Sequence, residues 1–405
     1  MNILILSELF YPHGGGAELA TYLYARFLSK EEHNVIVVTN KFHGEPMFSR
    51  NQRLMVYRLS LLGNSTGTVK YSILERFDIL FSGFMRKLLK WADIVYVPRY
   101  WFLSIPLAKF FGKPVIVHLH DYIPVCALAT LYNTRKNLCN AKTFLCSPKC
   151  IYTYEKLRGR NFRENLASVA LNSSLGCYLS QAIQLSDAVI CVSKAQKDLI
   201  AQRATLLRHK LSVVYNPIPK IAQVKIAGHD FGYFGGSDFL KGFYVLSQAV
   251  KNLKFINSAT IKIHATKFNL TNKQLLADLE KNGFLLYGKL NKTELIRIYE
   301  FIRSVIVPSI WPEPWPYVIV EALVQGRFVI ASSVGGIPEQ VEGCKGVKLF
   351  EAGNPCELAD SIKLVSNLSR DEIVDLGMQN RETFLKRFDN ESIIKGFINI
   401  CEKLI

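Results

Sequence analysis

Short apolar runs rich in Val and Ile recur along the chain, each closed by turn residues and followed by a helical pattern. In the first half they fall at residues 2–7 (NILILS), 33–40 (HNVIVVTN), 93–98 (DIVYVP), 113–120 (KPVIVHLH), 187–193 (DAVICVS) and 211–219 (LSVVYNPIP). The prolines of YNPIP mark a stiff connector, after which the rhythm restarts at 230–236, 260–266, 283–289, 304–309, 327–332 and 345–350. Continuous apolar strands alternating with helices predict parallel sheets covered on both faces, an α/β chain. The connector puts a boundary near residue 217, giving two doubly wound, Rossmann-like domains facing each other across a cleft. Residues 1–217 form the first, 218–380 the second, and a last helical stretch, 381–405, is expected to pack back on the first. Ligands of such sheets bind outside the carboxyl ends of the strands.

A length of 405 residues suits two domains with a large core. The formal charge of +17 is uneven: residues 1–216 hold 27 Lys+Arg against 13 Asp+Glu, and the remainder 23 against 20. A basic half beside a near-neutral half points to an anionic partner, such as nucleic acid or a membrane surface, against the plain alternative of a basic proteome. No dense Lys/Arg block, aromatic interleaving or known module supports nucleic acid. Glu8 interrupts the first apolar run, which also lacks a basic flank, so a signal peptide is not expected. No apolar stretch of about 18 residues predicts a membrane span. The expected location is cytoplasmic, with peripheral attachment to the inner face of a membrane left open.

The stretch PSIWPEPWPYVIVEAL (308–323) holds two glutamates, Glu313 and Glu321, eight positions apart. Ser309 ends a strand, Pro316 suits the first helical residue because it needs no N–H donor there, and Gly326 stops the helix. Glu313 then lies at the mouth of a helix and Glu321 a turn inside. Such a mouth attracts phosphate. A carboxylate beside phosphate is repelled by it, so these glutamates are candidates to accept hydrogen bonds from ribose or sugar hydroxyls. The plain alternative is a capping carboxylate plus a core Glu paired with a lysine. Lys241, in FGYFGGSDFLKG, follows a glycine turn and is a candidate diphosphate partner. PHGGGAE (12–18) and SSVGGIPEQV (332–341) add two more glycine loops after strands, and the first does not match the G-x-G-x-x-G dinucleotide fingerprint.

The blocks PHGGGAE, VHLHDY, YNPIP, FGGSDFLKG, EPWPYVIVEALVQGRFVIAS and GGIPE, in this order, resemble glycosyltransferase family 4, the group 1 enzymes of the GT-B fold. The resemblance spans nearly the whole chain. It implies a retaining glycosyltransferase that moves a sugar from a nucleotide-diphosphate sugar to an acceptor, with no cofactor and no metal at the donor site. No D-x-D triplet occurs in the sequence. On this resemblance Glu321 holds the donor ribose, Glu313 orients the sugar, and Lys241 with the helix-mouth N–H groups of Tyr317 and Val318 neutralises the diphosphate. Gly15 and Gly16 admit the donor from the first domain, and His120 sits against the reacting sugar; these last assignments rest on the family pattern. Gly236 belongs to the donor loop but stands where the family commonly has arginine, and Lys289 or Arg99 could substitute. Pro316 stands where the family often has glycine. A nucleotide-sugar epimerase or phosphorylase of the same fold is the neighbouring alternative; a basic nucleic-acid-binding protein is the alternative from another class.

In this family the first domain generally binds the acceptor, here a glycan or a lipid-linked or phosphorylated molecule. Residues 71–93 pattern as an amphipathic helix with basic flanks, compatible with an anionic membrane surface or with a core-facing helix that has a solvated rim. EKLRGRNFR (155–163) adds further cations. Cys126, Cys139, Cys146 and Cys150 fall in one loop at spacings irregular for a zinc ribbon. A metal site, disulfides and free thiols all stay open for them.

Overall fold

The structure is a computed structural model that describes residues 1–59, 82–132, 139, 147–157, 159–226, 228–254, 261–267 and 273–405. Its described residues divide into two compact units. One holds Met1 to Ile218 together with Asp389–Ile405, and the other runs Pro219–Phe388.

The first unit is built on an eight-stranded sheet. Its elements run β1 (Asn2–Leu6), α1 (Gly16–Lys30), β2 (Asn34–Asn40), β3 (Phe48–Asn51), β4 (Leu54–Leu59), α2 (Gly83–Trp91), β5 (Ile94–Val97), α3 (Ser104–Phe110), β6 (Val115–Leu119), α4 (Ser147–Leu157), α5 (Phe162–Gln184), β7 (Ala188–Cys191), α6 (Lys194–Arg203) and β8 (Leu211–Val213). The strand order is β3-β4-β2-β1-β5-β6-β7-β8, parallel throughout except for the β3–β4 hairpin. The hairpin escaped the sequence reading because its strands carry Arg50 and Arg58 and sit at the sheet edge, where one-sided burial blurs the apolar run. The central strands are almost fully buried, as their unbroken apolar runs require.

The second unit has β9 (Asp230–Tyr233), α7 (Phe243–Lys254), β10 (Ile263–Thr266), α8 (Lys273–Lys281), β11 (Phe284–Tyr287), α9 (Lys292–Phe301), β12 (Ile302–Val307), α10 (Tyr317–Val324), β13 (Phe328–Ser332), α11 (Ile337–Val341), β14 (Val347–Phe350), α12 (Pro355–Asn367) and α13 (Arg370–Arg387). Its six strands are all parallel, in the order β11-β10-β9-β12-β13-β14. This is the doubly wound arrangement the strand–helix rhythm predicts. The winding direction reverses between β9 and β12, the place where such sheets open a crevice. In the first unit the corresponding reversal lies between β1 and β5.

The sequence reading brings the chain back to the first unit at residue 381; the structure does so at Asp389. Helix α13 runs unbroken to Arg387, held at its start by a capping box between Ser369 and Glu372, and it packs on the second unit's α10 and β13. Only α14 (Asn390–Glu402) joins the first unit, where Phe397 is fully buried against Tyr24 and Tyr96 with ring centroids 5.2 and 5.0 Å away. Of the proposed amphipathic helix at 71–93, residues 71–81 lie outside the described residues. In the described part, α2, Met85 and Leu88 are buried, so this portion of the apolar face is core. Among the described residues no helix is long and apolar enough to cross a membrane.

Candidate functional site

In the second unit, the loops after β9, β12 and β13 meet at the carboxyl ends of their strands. Asp238 caps a short turn, Phe239–Lys241, by accepting from Leu240 N at 2.9 Å. Gly242 then takes φ +75°, and a β-carbon there would run into the carbonyl of Pro308. Ile310 N donates to Leu240 O at 2.9 Å. The two loops are therefore fastened together, and the fastening sets Lys241 against Glu313: Lys241 Nζ lies 2.6 Å from Glu313 Oε1, although 72 residues separate them. Ser309 Oγ donates to the same oxygen at 2.8 Å, and Ser332 Oγ donates to Ser309 O at 2.6 Å. From the third loop, Gly336 N donates to Glu313 O at 2.7 Å, and Gly335 at φ +54° leaves no room for a β-carbon against that backbone. Lys241 Nζ also stands 5.2 Å from the ring centroid of Trp311.

Glu313 is buried while about a third of Lys241's side chain remains open to solvent. Oε2 of Glu313 makes no hydrogen bond to a described residue, and a lysine ammonium carries three donors. The pair thus keeps an acceptor and donors beyond those it uses on itself. Pro316 serves as the N-cap of α10, one position earlier than the sequence suggests, and the helix begins at Tyr317 with Val318 half-buried in its first turn. Glu321, on the next turn, is half-buried, and its carboxylate forms no ion pair or hydrogen bond with a described residue. Burial pushes its carboxyl up to about 7. The alternative of a core Glu paired with a lysine is thereby removed.

Gly236 takes φ +67°, and its carbonyl accepts from Tyr233 Oη at 2.8 Å. A left-handed position disfavours a residue with a β-carbon, so an arginine on this backbone would be strained. Lys289 is an exposed residue after β11, and Arg99 is engaged in the first unit.

The first unit carries its own cluster at its strand-order reversal. Arg99, after β5, reaches Glu8 with Nε 3.2 Å from Oε1 and Glu18 with Nη1 2.8 Å from Oε1. Glu8 is fully buried and its carboxyl is raised to about 7, chiefly by burial, against the opposing pull of Arg99. Glu18 accepts from Gly15 N at 2.6 Å, so Arg99 holds the glycine loop through Glu18. The glycine that this backbone demands is Gly14, at φ +93° with the Glu18 carboxyl where a β-carbon would fall. Gly15 and Gly16 are exposed, and a β-carbon on Gly15 would meet its nearest neighbour only at 3.9 Å. His120 stacks on His118 at 4.8 Å. Its Nε2 is buried with no hydrogen-bond partner, and burial, with help from His118 and Arg99, holds its pKa well below the usual histidine range. His120 is therefore a neutral imidazole. Next to it Asp121 accepts from Tyr100 Oη at 2.8 Å and from Ile123 N at 3.0 Å.

The sequence reading used Glu8 only to exclude a signal peptide and passed over Glu18 and Ser309. The signal for Glu8 was available, since a carboxylate that ends a buried strand needs a cation. Cys126 and Cys139 are free thiols, with Cys126 raised by burial, and Cys146 lies outside the described residues. Among the described residues no group of three or more His, Cys, Asp or Glu is placed to hold a metal.

Residues 14–220 match the family model described as Glycosyltransferase Family 4, and residues 228–367 match Glycosyl transferases group 1. An uncharacterized glycosyltransferase of Methanocaldococcus jannaschii is 29% identical over 245 residues, 59% of this chain and 66% of that protein. Sucrose-phosphate synthase from Thermosynechococcus elongatus superposes with a TM-score of 0.73 at 13% identity, covering 100% of this chain and 99% of that one. Anabaena HepE in complex with UDP-glucose does so at 0.65 and 18% identity, covering 100% of both chains.

Proposed function

We propose, for a chain that belongs to glycosyltransferase family 4, that it transfers a sugar from a nucleotide-diphosphate sugar to a glycan or lipid-linked acceptor with retention of configuration. That it is a glycosyltransferase of the GT-B fold follows from the family and the two doubly wound units. The finer reading rests on one observation: Lys241 and Glu313 meet at the strand-order reversal of the second unit, beside the N-terminus of α10.

In this reading the leaving diphosphate takes the open donors of Lys241 together with the N–H groups of Tyr317 and Val318. Charge develops on that diphosphate as the sugar–oxygen bond breaks, so these donors act more strongly in the transition state than in the ground state. Glu313, its Oε1 held by Lys241 and Ser309, offers Oε2 to a sugar hydroxyl. Glu321 accepts the ribose hydroxyls. The leaving phosphate oxygen accepts the acceptor's proton on the same face, which gives retention without a covalent enzyme intermediate. Gly15, Gly16 and His120 are the first unit's share of the reading, with the neutral imidazole of His120 able to donate one hydrogen bond to a sugar oxygen. HepE, a protein of like fold, has been crystallised with UDP-glucose, which makes uridine the first nucleotide to try.

Titration calorimetry with UDP, GDP and ADP tests the donor reading. One of them binds, and Lys241→Ala weakens that diphosphate about tenfold or more while the matching nucleoside is little changed, as expected for a charge-assisted contact of roughly 1.5–3 kcal/mol. Equal loss for nucleoside and diphosphate, or no binding by any of the three, overturns it.

A further inference from the structure

Helices α4 and α5 of the first unit enclose a polar seam. Between them lie polar groups: Glu155 is 1% exposed, Asn165 2%, Ser168 7% and Asn172 4%. Ser168 Oγ donates to Glu155 Oε1 at 2.9 Å, and Asn172 Nδ2 donates to Ser168 Oγ at 2.7 Å. Arg160 Nε sits 3.0 Å from Glu155 Oε2. On the outside, at the end where the helices join, Leu157 is 58% exposed, Phe162 67% and Leu166 59%. Phe162 and Leu166 are one turn apart and share a face. Helices surrounded by water do the reverse, with apolar stripes in and polar faces out. A polar seam that ends in an exposed apolar tip suits helices whose tip meets the headgroup boundary of a membrane.

Two further observations narrow the occupant. The cations Lys156 and Arg163 are exposed beside the apolar trio, and Arg160 is half-exposed. The one acid at this turn, Glu164, is occupied in a capping box with Asn161. The surface is therefore basic around an apolar tip, which complements an anionic lipid surface. The tip also lies far along α5 from the bond that ties this helix to its unit. Helix α5 is tied to the loop after β6 by Ser180 Oγ donating to Pro124 O at 2.8 Å, and Phe162 lies eighteen residues before that tie, about 27 Å along a helix.

We propose that the α4–α5 tip is an interfacial anchor that seats Leu157, Phe162 and Leu166 in the headgroup region of an anionic bilayer, with Lys156 and Arg163 on lipid phosphates. The proposal does not depend on the donor reading, and nucleotide binding serves as its control.

The full chain is sedimented with vesicles of phosphatidylcholine alone and of equimolar phosphatidylglycerol and phosphatidylcholine. It binds the anionic vesicles at least about tenfold more strongly, and salt weakens the binding. Phe162→Ser with Leu166→Ser lowers that binding about tenfold or more, with nucleotide affinity and melting temperature retained. Lys156→Gln with Arg163→Gln narrows the preference for anionic lipid, each cation being worth about fivefold. As a gain-of-signal measurement, Phe162→Trp emission shifts to the blue on adding anionic vesicles. Absent binding, binding indifferent to the Ser pair, or an unshifted emission overturns the proposal. Concentration-dependent self-association that the Ser pair abolishes in the absence of vesicle binding overturns it too, and assigns the face to a second copy of the chain.

Discussion

Glu321 shows how a single side chain can carry two readings until its surroundings are known. An ordinary carboxylate is ionised at neutral pH, but burial without a cation pushes this one up to about 7. If its ionised form accepts the ribose hydroxyls, nucleotide affinity follows its titration. Below about 7 the carboxyl is protonated and a poorer acceptor; above it the carboxylate is the resident form. We expect nucleotide affinity to rise from pH 6 to pH 8 in the wild type, beyond the rise due to the diphosphate's own ionisation. Glu321→Gln should weaken binding about tenfold or more at pH 8 and remove that additional rise. Calorimetry at matched ionic strength reads both, and a wild-type profile that coincides with the variant's would exclude the role. Arg99 teaches a related lesson. Its positive charge made it a candidate for the missing guanidinium, yet it is committed to two buried carboxylates, Glu8 and Glu18.

At the scale of elements, the site is made by turns that tie loops to one another. Gly242 is the clearest case, since its φ of +75° and its packing against Pro308 both exclude a side chain. Gly242→Ala should cost more than the roughly 1 kcal/mol of a strained backbone alone, because the loop after β9 must also back away from β12. We expect a melting temperature lower by several degrees and weaker diphosphate binding, since Lys241 immediately precedes the turn. Thermal denaturation and calorimetry on the same variant check this; an unchanged melting temperature would mean the two loops are not held together as described. Helix α10 shows where local rules were enough. Its proline N-cap and its glycine after the last turn, at φ +67°, bracket eight residues much as their sequence suggests.

At the scale of the whole molecule, the chain leaves the first unit at Ile218 and re-enters it at Asp389. Helix α14 is thus part of a core whose other members lie hundreds of residues earlier. Phe397 is fully buried against Tyr24 and Tyr96, and Tyr24 Oη donates to Tyr215 O at 2.7 Å. Phe397→Ala should destabilise the first unit by about 3–5 kcal/mol and leave nucleotide affinity, which we assign to the second unit, within about twofold. Urea denaturation followed by tyrosine absorbance, with calorimetry alongside, separates the two effects. A loss of nucleotide affinity in the still-folded variant would show that α14 supports more than its own unit.

The sequence by itself determined the alternation of strand and helix, the largely parallel character of both sheets, the break near Ile218, the loops that hold Lys241 and Glu313, and the helix that holds Glu321. These are local: a run of Val and Ile declares a buried strand, and a glycine or proline declares where it turns. Strand order is not local. Only the tertiary structure decided that β9 lies between β10 and β12, and that choice brings Lys241 to Glu313. The same holds for Arg99, which finds Glu8 across 91 residues because β1 and β5 are neighbours. The polar seam between α4 and α5 was hidden for another reason. Periodicity reports which residues share a face of a helix, and what covers that face is settled by the neighbour it packs against.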